Sequence, residues 1–451
     1  MQISQPDITF NIIPATTTIS TSPQKVLFVG QKTSGGTATA GALTSDIGNS
    51  GEEDTLFGAT SMLAQMVRSA RLINKVTQFD AIALSDAGAG VAATGTIVFS
   101  GTSTEAGTLT ISIGSGYNYA LELTIPNSTS ATAAGDLLVT AVTALTNAPF
   151  TAANITGTVT ITNVHKGEFG NNVGYKVEGS VAGLSVALTL PTNGATNPTL
   201  TNIFDVIDGE RYQTIVWPET YTLSTLTTVL DARFNVTNDV LDGVGIQTLS
   251  NTYANLITAG NAQNSKSLVL LGNEELSATA HKGGALLEFS DVISSQFAAI
   301  RSLRLTAGAN ISQYTISTNG ARDAVGGAAI SSLPYFNTPF TYLDLIDRGV
   351  GFTNTEIEAL KVAGVSVIGN NKTATTVIAG EMITTRKTDA AGNAETTFHY
   401  LSVVDTSVAV REFYFNNLKS RFAQSRLTQG DLIPNRNIAN QAVIESYLDN
   451  L

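Results

Sequence analysis

From Val91 to about Asn197 the chain is β-rich and almost uncharged, while the segments on either side alternate strand and helix as one interrupted α/β fold does. A block of this kind, set between two halves of one domain, is an insertion. Its strands follow from period-two alternation of Thr, Ile and Leu: Thr94–Phe99, Gly107–Ile113, Tyr119–Ile125, Thr156–Ile161, Tyr175–Val177 and Leu184–Leu190 each offer one apolar face. Between the third and fourth, Ser130 is placed to cap a helix whose Ala134, Leu138, Ala141, Val142 and Leu145 recur at helical spacing, ending before Pro149. The result is a small α+β module of roughly a hundred residues, ordinary domain size, expected to fold on its own and to sit outside the core without disturbing it.

The flanks supply the core. Lys25–Gly30 is a short apolar strand, and the glycine-rich loop after it, Gly30-Gln31-Lys32-Thr33-Ser34-Gly35-Gly36, lacks the Gly-Lys-Ser/Thr at a helix start that phosphate binding requires. Ser50 and Glu53 form a capping-box pair, and Leu56, Ala59, Leu63, Met66, Val67, Ala70 and Ile73 predict one helix of about twenty residues. Ala81–Leu84 is the next strand. After the insertion come strand Tyr212–Trp217, a helix with Leu223, Leu226, Val229 and Leu230, the continuously apolar strand Leu268–Gly272, and a helix near 284–302 carrying Leu287, Val292, Ile293, Phe297 and Ile300. Glu288 and Asp291 beside it read as solvated helix-face charges. Residues 303–355 look irregular, Thr355–Gly364 is a short helix ended by glycine, Val365–Ile368 pairs with Thr375–Ile378, and Met382–Arg386 is a further strand candidate. The fold class expected is an α/β core, a mixed sheet with flanking helices, interrupted by the β-rich α+β insertion domain and preceded by an extended N-terminal arm.

Residues 1–24 make that arm. Pro6, Pro14 and Pro23 forbid helix, and Ile8-Thr9-Phe10-Asn11-Ile12-Ile13 is strand-like. It is an edge strand of the core, a frayed terminus, or an arm whose Ile8, Phe10, Ile12 and Ile13 add a strand to a neighbouring subunit's sheet. Near the other end, a helix capped by Asp405 or Thr406 turns an apolar face of Val408, Phe415, Leu418 and Phe422 inward and crowds Arg411, Lys419, Arg421 and Arg426 on the remainder, opposed by Glu412 alone. Those cations either pair within the molecule or face an acidic partner. A last helix, Ile438–Leu451, has Ala439, Val443, Tyr447 and Leu451 on one stripe.

Composition narrows the functions. The net charge is −12 and charged residues make up only 13% of the chain, which disfavours nucleic-acid binding and suits extensive packing against copies of itself. With no cysteine there is no disulfide framework or thiolate chemistry. His165, His281 and His399 lack metal-ligand spacing and read as structural or surface histidines, so neither metal nor cofactor is expected. No Gly-X-Ser-X-Gly or convincing dyad points to an enzyme. No signal peptide and no apolar run of membrane-spanning length is evident.

Three stretches of the insertion, Ala92–Ile97, Gly101–Leu109 and His165-Lys166-Gly167-Glu168-Phe169-Gly170-Asn171-Asn172, resemble in order and spacing the inserted domain of contractile phage tail sheath proteins of the Mu-like type. Leu56–Val67 upstream, and Gly194–Pro198 with Tyr212–Pro218 downstream, are similar to that family's first core helix and its return to the core. The resemblance implies a division into arm (1–24), first core half (25–90), insertion (91–197) and second core half (198–451). It implies a structural protein of the virion, assembled in the host cytoplasm as stacked, hexameric rings around a tail tube protein and bounded by baseplate and tail terminator proteins. Contraction would drive the tube through the host envelope; the competing expectation is a non-contractile shell or surface-layer protein. The resemblance also favours the arm for residues 1–24 and a tube-facing role for Arg411, Lys419, Arg421 and Arg426. Family members usually continue into a strand-bearing C-terminal arm that this sequence does not show.

Overall fold

The computed structural model describes residues 23–48, 51–115, 118–171, 173–233, 241–275, 285–308, 351–370, 377–422, 424–428 and 438–448, together with 335, 338–340 and 343. Ile8, Phe10, Ile12 and Ile13, His281, Ser50 and most of 303–355 lie outside them. The chain divides into one unit of 23–308 and 330–406 and another of 1–22, 309–329 and 407–451.

The larger unit opens with β1 (Lys25–Gln31), β2 (Leu43–Thr44), α1 (Glu52–Phe57), α2 (Met62–Ile73) and β3 (Gln78–Leu84). The one long helix expected here is two. Gly58, at φ 86°, ends α1 in a conformation open to glycine, and Ser61 starts α2 afresh by accepting a hydrogen bond from the Ala64 amide. Helix α1 begins after Gly51, which offers no side-chain cap; the expected Ser50–Glu53 box involves a residue outside the described ones, and Glu53 is buried.

Next come β4 (Ala92–Gly101), β5 (Gly107–Ile113), β6 (Ala120–Ile125), α3 (Ala131–Thr143), β7 (Phe150–Ile155), β8 (Thr158–Lys166), β9 (Tyr175–Glu178) and β10 (Leu184–Thr189). Among the described residues these strands pair only with each other, as β10-β4-β8-β7 and β6-β5-β9, antiparallel throughout. The alternation is visible along β4, whose Ala93, Ile97 and Phe99 are buried between half-buried neighbours. Ser130 caps α3 by accepting from the Ala133 amide.

The core resumes with β11 (Thr214–Val216), α4 (Leu223–Arg233), β12 (Val244–Asn251), α5 (Tyr253–Asn261), β13 (Leu268–Glu274), α6 (Ser290–Gly308), α7 (Asn354–Ala363), β14 (Val365–Asn370) and β15 (Val377–Ala379). Among the described residues the sheet runs β15-β14-β13-β12-β11-β1-β3-β2, parallel in its interior and antiparallel at both edges, a mixed sheet with flanking helices. Every residue of β13 is buried, as a strand covered on both faces requires. Trp217, Tyr212, Leu226 and Leu230 fill one face with Leu27, Val29 and Leu270, while α2 and α6 pack on the other. Met382–Arg386 does not join the sheet; Ile383 instead forms an isolated bridge with Tyr400, and its amide donates to Ser366 Oγ.

Helix α8 spans Leu401–Phe422, and beyond it lie β16 (Arg426–Leu427), β17 (Ile438–Ala439) and α9 (Gln441–Leu448). The last helix starts later than expected because Ile438 and Ala439 pair in parallel with Arg426 and Leu427. Phe422 meets Tyr447 edge-on at 5.5 Å.

Candidate functional site

Helix α8 starts about a turn before the predicted cap because Leu401 is fully buried and its amide donates to Met382 O. Asp405 is therefore no cap. It is a buried carboxylate inside the helix, accepting from Arg301 Nη2 at 2.6 Å and from the Tyr335 hydroxyl at 2.7 Å. Arg301 spends its other terminal nitrogen on Gln213 O at 2.6 Å and Thr214 Oγ1 at 2.5 Å, so one ion pair ties α6, the start of β11 and the first turns of α8.

Of the four predicted tube-facing cations, the structure places three on α8. Lys419 and Arg421 are exposed and Arg411 is half-buried, whereas Arg426 is a residue of β16 and not of the helix. Phe415, assigned inward from its spacing, is 52% exposed and lies 5.8 Å from Lys419 Nζ. Val410 and Tyr414, which spacing did not single out, are exposed as well. The far part of α8 thus shows apolar and aromatic surface beside two exposed cations.

Glu288 and Asp291, expected in solvent, are buried. Asp291 sits in the first turn of α6 and accepts from the Glu219 amide at 3.0 Å. Glu219 in turn accepts from the Ser250 amide at 2.6 Å, and the Ser250 hydroxyl bonds Ser290 Oγ at 2.8 Å and receives Asn273 Nδ2 at 3.0 Å. The network stitches the C-terminal ends of β11, β12 and β13 to the start of α6. Burial, only partly offset by the Glu219 amide, pushes the Asp291 carboxyl up to about 7. A carboxyl raised above its unfolded range favours folding while it is protonated in both states, and that contribution is lost as pH climbs from about 4 through about 7. Asp291→Asn, which keeps the acceptor, is expected to leave stability at about pH 3 unchanged and to raise it by roughly 1–4 kcal/mol at about pH 8, read by urea unfolding.

The chain order reverses between β1 and β11, the place where open α/β sheets ordinarily admit a ligand. Here the inserted segment occupies it. Gln31, last residue of β1, donates through Nε2 to Asp86 Oδ1 at 2.7 Å and to Lys166 O at 2.8 Å. His165 is completely buried, with Nδ1 2.8 Å from Asp86 Oδ1 and Nε2 accepting from the Met62 amide at 2.9 Å. Burial raises the Asp86 carboxyl, but the bonds from His165, the Lys166 amide and Gln31 outweigh it and leave the group below the usual range. Alongside, Gln65 Nε2 donates to the Tyr119 hydroxyl at 2.7 Å, and Phe169 stacks on Phe289 with centroids 5.2 Å apart. Gly114, at φ 66°, has its missing Cβ 2.5 Å from the Phe289 ring, so only glycine permits this approach. The inserted segment is packed into the core and does not stand clear of it. The histidine reading as structural holds for His165; the partners were not legible.

The chain is 30% identical over 268 residues to the Mu-like prophage FluMu tail sheath protein of Haemophilus influenzae, a match covering 58% of this chain and 54% of that protein. The chain therefore spans about half the length of the curated relative it matches. No protein-family model matches it. Among solved structures it is similar to a sheath tail protein of Desulfitobacterium hafniense (13% identity, TM-score 0.42, 92% of this chain and 82% of that one). It is similar also to a sheath tail protein of Listeria innocua (12%, 0.39, 89% and 79%). A chain of the anti-feeding prophage baseplate matches at 12% and 0.45, covering 100% and 84%. Structural likenesses this distant carry no argument about function.

Proposed function

We propose, for a chain similar in sequence over more than half its length to a Mu-like tail sheath protein, that it is the structural subunit of a contractile phage tail sheath. Copies stack as hexameric rings around a tail tube, between baseplate and terminator, in an extended packing that is kinetically trapped. A trigger releases it to a second packing of the same folded subunit. The observation that carries this reading is the 30% identity over 268 residues. The low charge of the chain, at 13% charged residues, supports large contacts between copies. Residues 1–24 serve as the linking arm, 25–90 and 198–451 as the two core halves, and 91–197 as the inserted domain.

Helix α8 is the surface turned to the tube, with Lys419 and Arg421 meeting acidic groups and Arg411 on the same helix. Exposed pairs contribute little each, but they are repeated in every subunit of a ring. Lys419→Glu with Arg421→Glu is expected to leave the subunit's unfolding midpoint unchanged and to weaken co-sedimentation with the tail tube protein by about tenfold at low salt. An unchanged titration would remove the assignment.

A further inference from the structure

The segment His165–Asn171 belongs to the motif that carried the sequence resemblance, yet nothing in the proposed function uses it. In the structure it gathers both crossings between core and insertion. The Glu168 amide donates to Asn197 Oδ1 at 2.9 Å, and Asn197 Nδ2 donates to Glu168 Oε2 at 2.8 Å and to Thr220 O at 3.0 Å. Asn171 and Gly194 exchange bonds of 3.0 and 2.8 Å, while the Gly167 amide donates to Val91 O at 2.9 Å. Two connecting strands that could have been tethers are thus fastened to one turn. That turn is fastened to the core by His165.

The histidine's chemistry makes the fastening specific. A backbone amide can only donate, so Met62 N–H requires Nε2 to be the bare acceptor, and the ring proton must lie on Nδ1, where Asp86 receives it. The other tautomer would set two N–H groups against each other at Met62 and leave Asp86 Oδ1 facing a lone pair. Phe169, edge-on to the ring at 5.8 Å, fixes its plane.

We propose that His165 is a tautomer-specific latch that docks the insertion into the core's switch point, so that insertion and core move as one body. Asp86 selects the tautomer. The latch concerns the subunit itself and stands whether or not the subunit builds a sheath.

The test uses the full chain and two nearly isosteric changes. Asp86→Asn leaves a single acceptor oxygen for three donors, Gln31 Nε2, the Lys166 amide and His165 Nδ1–H, and so weakens selection of the Nδ1 tautomer and with it the Met62 bond, without changing side-chain size. His165→Phe keeps the ring and removes both bonds. With only three histidines in the chain, nitrogen NMR of imidazole-labelled protein resolves each tautomer. The wild type is expected to show one neutral ring protonated at Nδ1 that His165→Phe deletes and Asp86→Asn shifts. Hydrogen exchange at Met62 and Leu63 is expected to quicken at least about tenfold in both variants, the consequence of an unpaired buried donor, while β5 and β6 keep their protection. An Nε2-protonated ring in the wild type would overturn the proposal, as would unaltered exchange at Met62 in both variants. Should His165→Phe fail to fold, Asp86→Asn alone decides between these outcomes.

Discussion

Asp405→Ala is expected to lower folding stability by about 3–5 kcal/mol, the range for removing one partner of a buried, hydrogen-bonded ion pair. The cost comes from what is left behind. Arg301 is 3% exposed, and without Asp405 its hydrogen-bond acceptors among the described residues are Gln213 O and Thr214 Oγ1, while the buried Tyr335 hydroxyl loses its acceptor. Desolvation of Arg301 opposes its charge, and Asp405, together with Tyr335 and Asp242, more than offsets it. If stranded charge rather than lost contact sets the cost, then Arg301→Met, Asp405→Leu and Tyr335→Phe together should recover most of the loss. Urea unfolding with an unchanged slope measures both. A loss below about 1 kcal/mol for Asp405→Ala would show that water reaches the pair.

Deleting residues 1–22 is expected to leave the core folded and to abolish polymerisation. The register of the eight-stranded sheet starts at Lys25, whose amide donates to Gln213 Oε1, and Gln213 Nε2 reaches back to Pro23 O. The strands of that sheet whose pairing is described all lie at or beyond Lys25. An arm that adds a strand to a neighbour obtains its affinity from backbone bonds repeated at every subunit, and an assembly depends on that repetition. Unfolding monitored on the truncated chain, with sedimentation for its assembly state, separates the two effects. Truncated protein that assembles as the full chain does would remove the arm.

What the sequence made legible was local. Thr/Ile alternation identified β4, β5, β6, β8, β9 and β10 because each buries one face, and apolar runs identified β1 and β13 because both faces are covered. Strand β7, Phe150–Ile155, carries no such signal, since its two alanines and an asparagine have little strand preference; pairing with β8 makes it a strand. Helical periodicity ran on through Gly58 and hid the break between α1 and α2.

What was not legible was long-range. Asp291 looks like a surface charge and Asp405 like a cap until Glu219, Ser250 and Arg301 are brought to them from tens of residues away. Arg426 drops off the basic helix because a two-residue pairing with Ile438 outweighs helical spacing. His165 was recognisable as structural, but Met62 is 103 residues distant and Asp86 is 79. No spacing rule connects them.

The central claim is that this chain assembles as a sheath, and electron microscopy of the purified protein, alone and with the tail tube protein, tests it most directly. The account predicts striated hollow tubes or stacked rings of two distinct diameters, the wider and shorter form empty of tube. Tubes or sheets of a single, unchanging geometry would indicate a non-contractile shell, and dispersed monomers with the tube present would contradict the account.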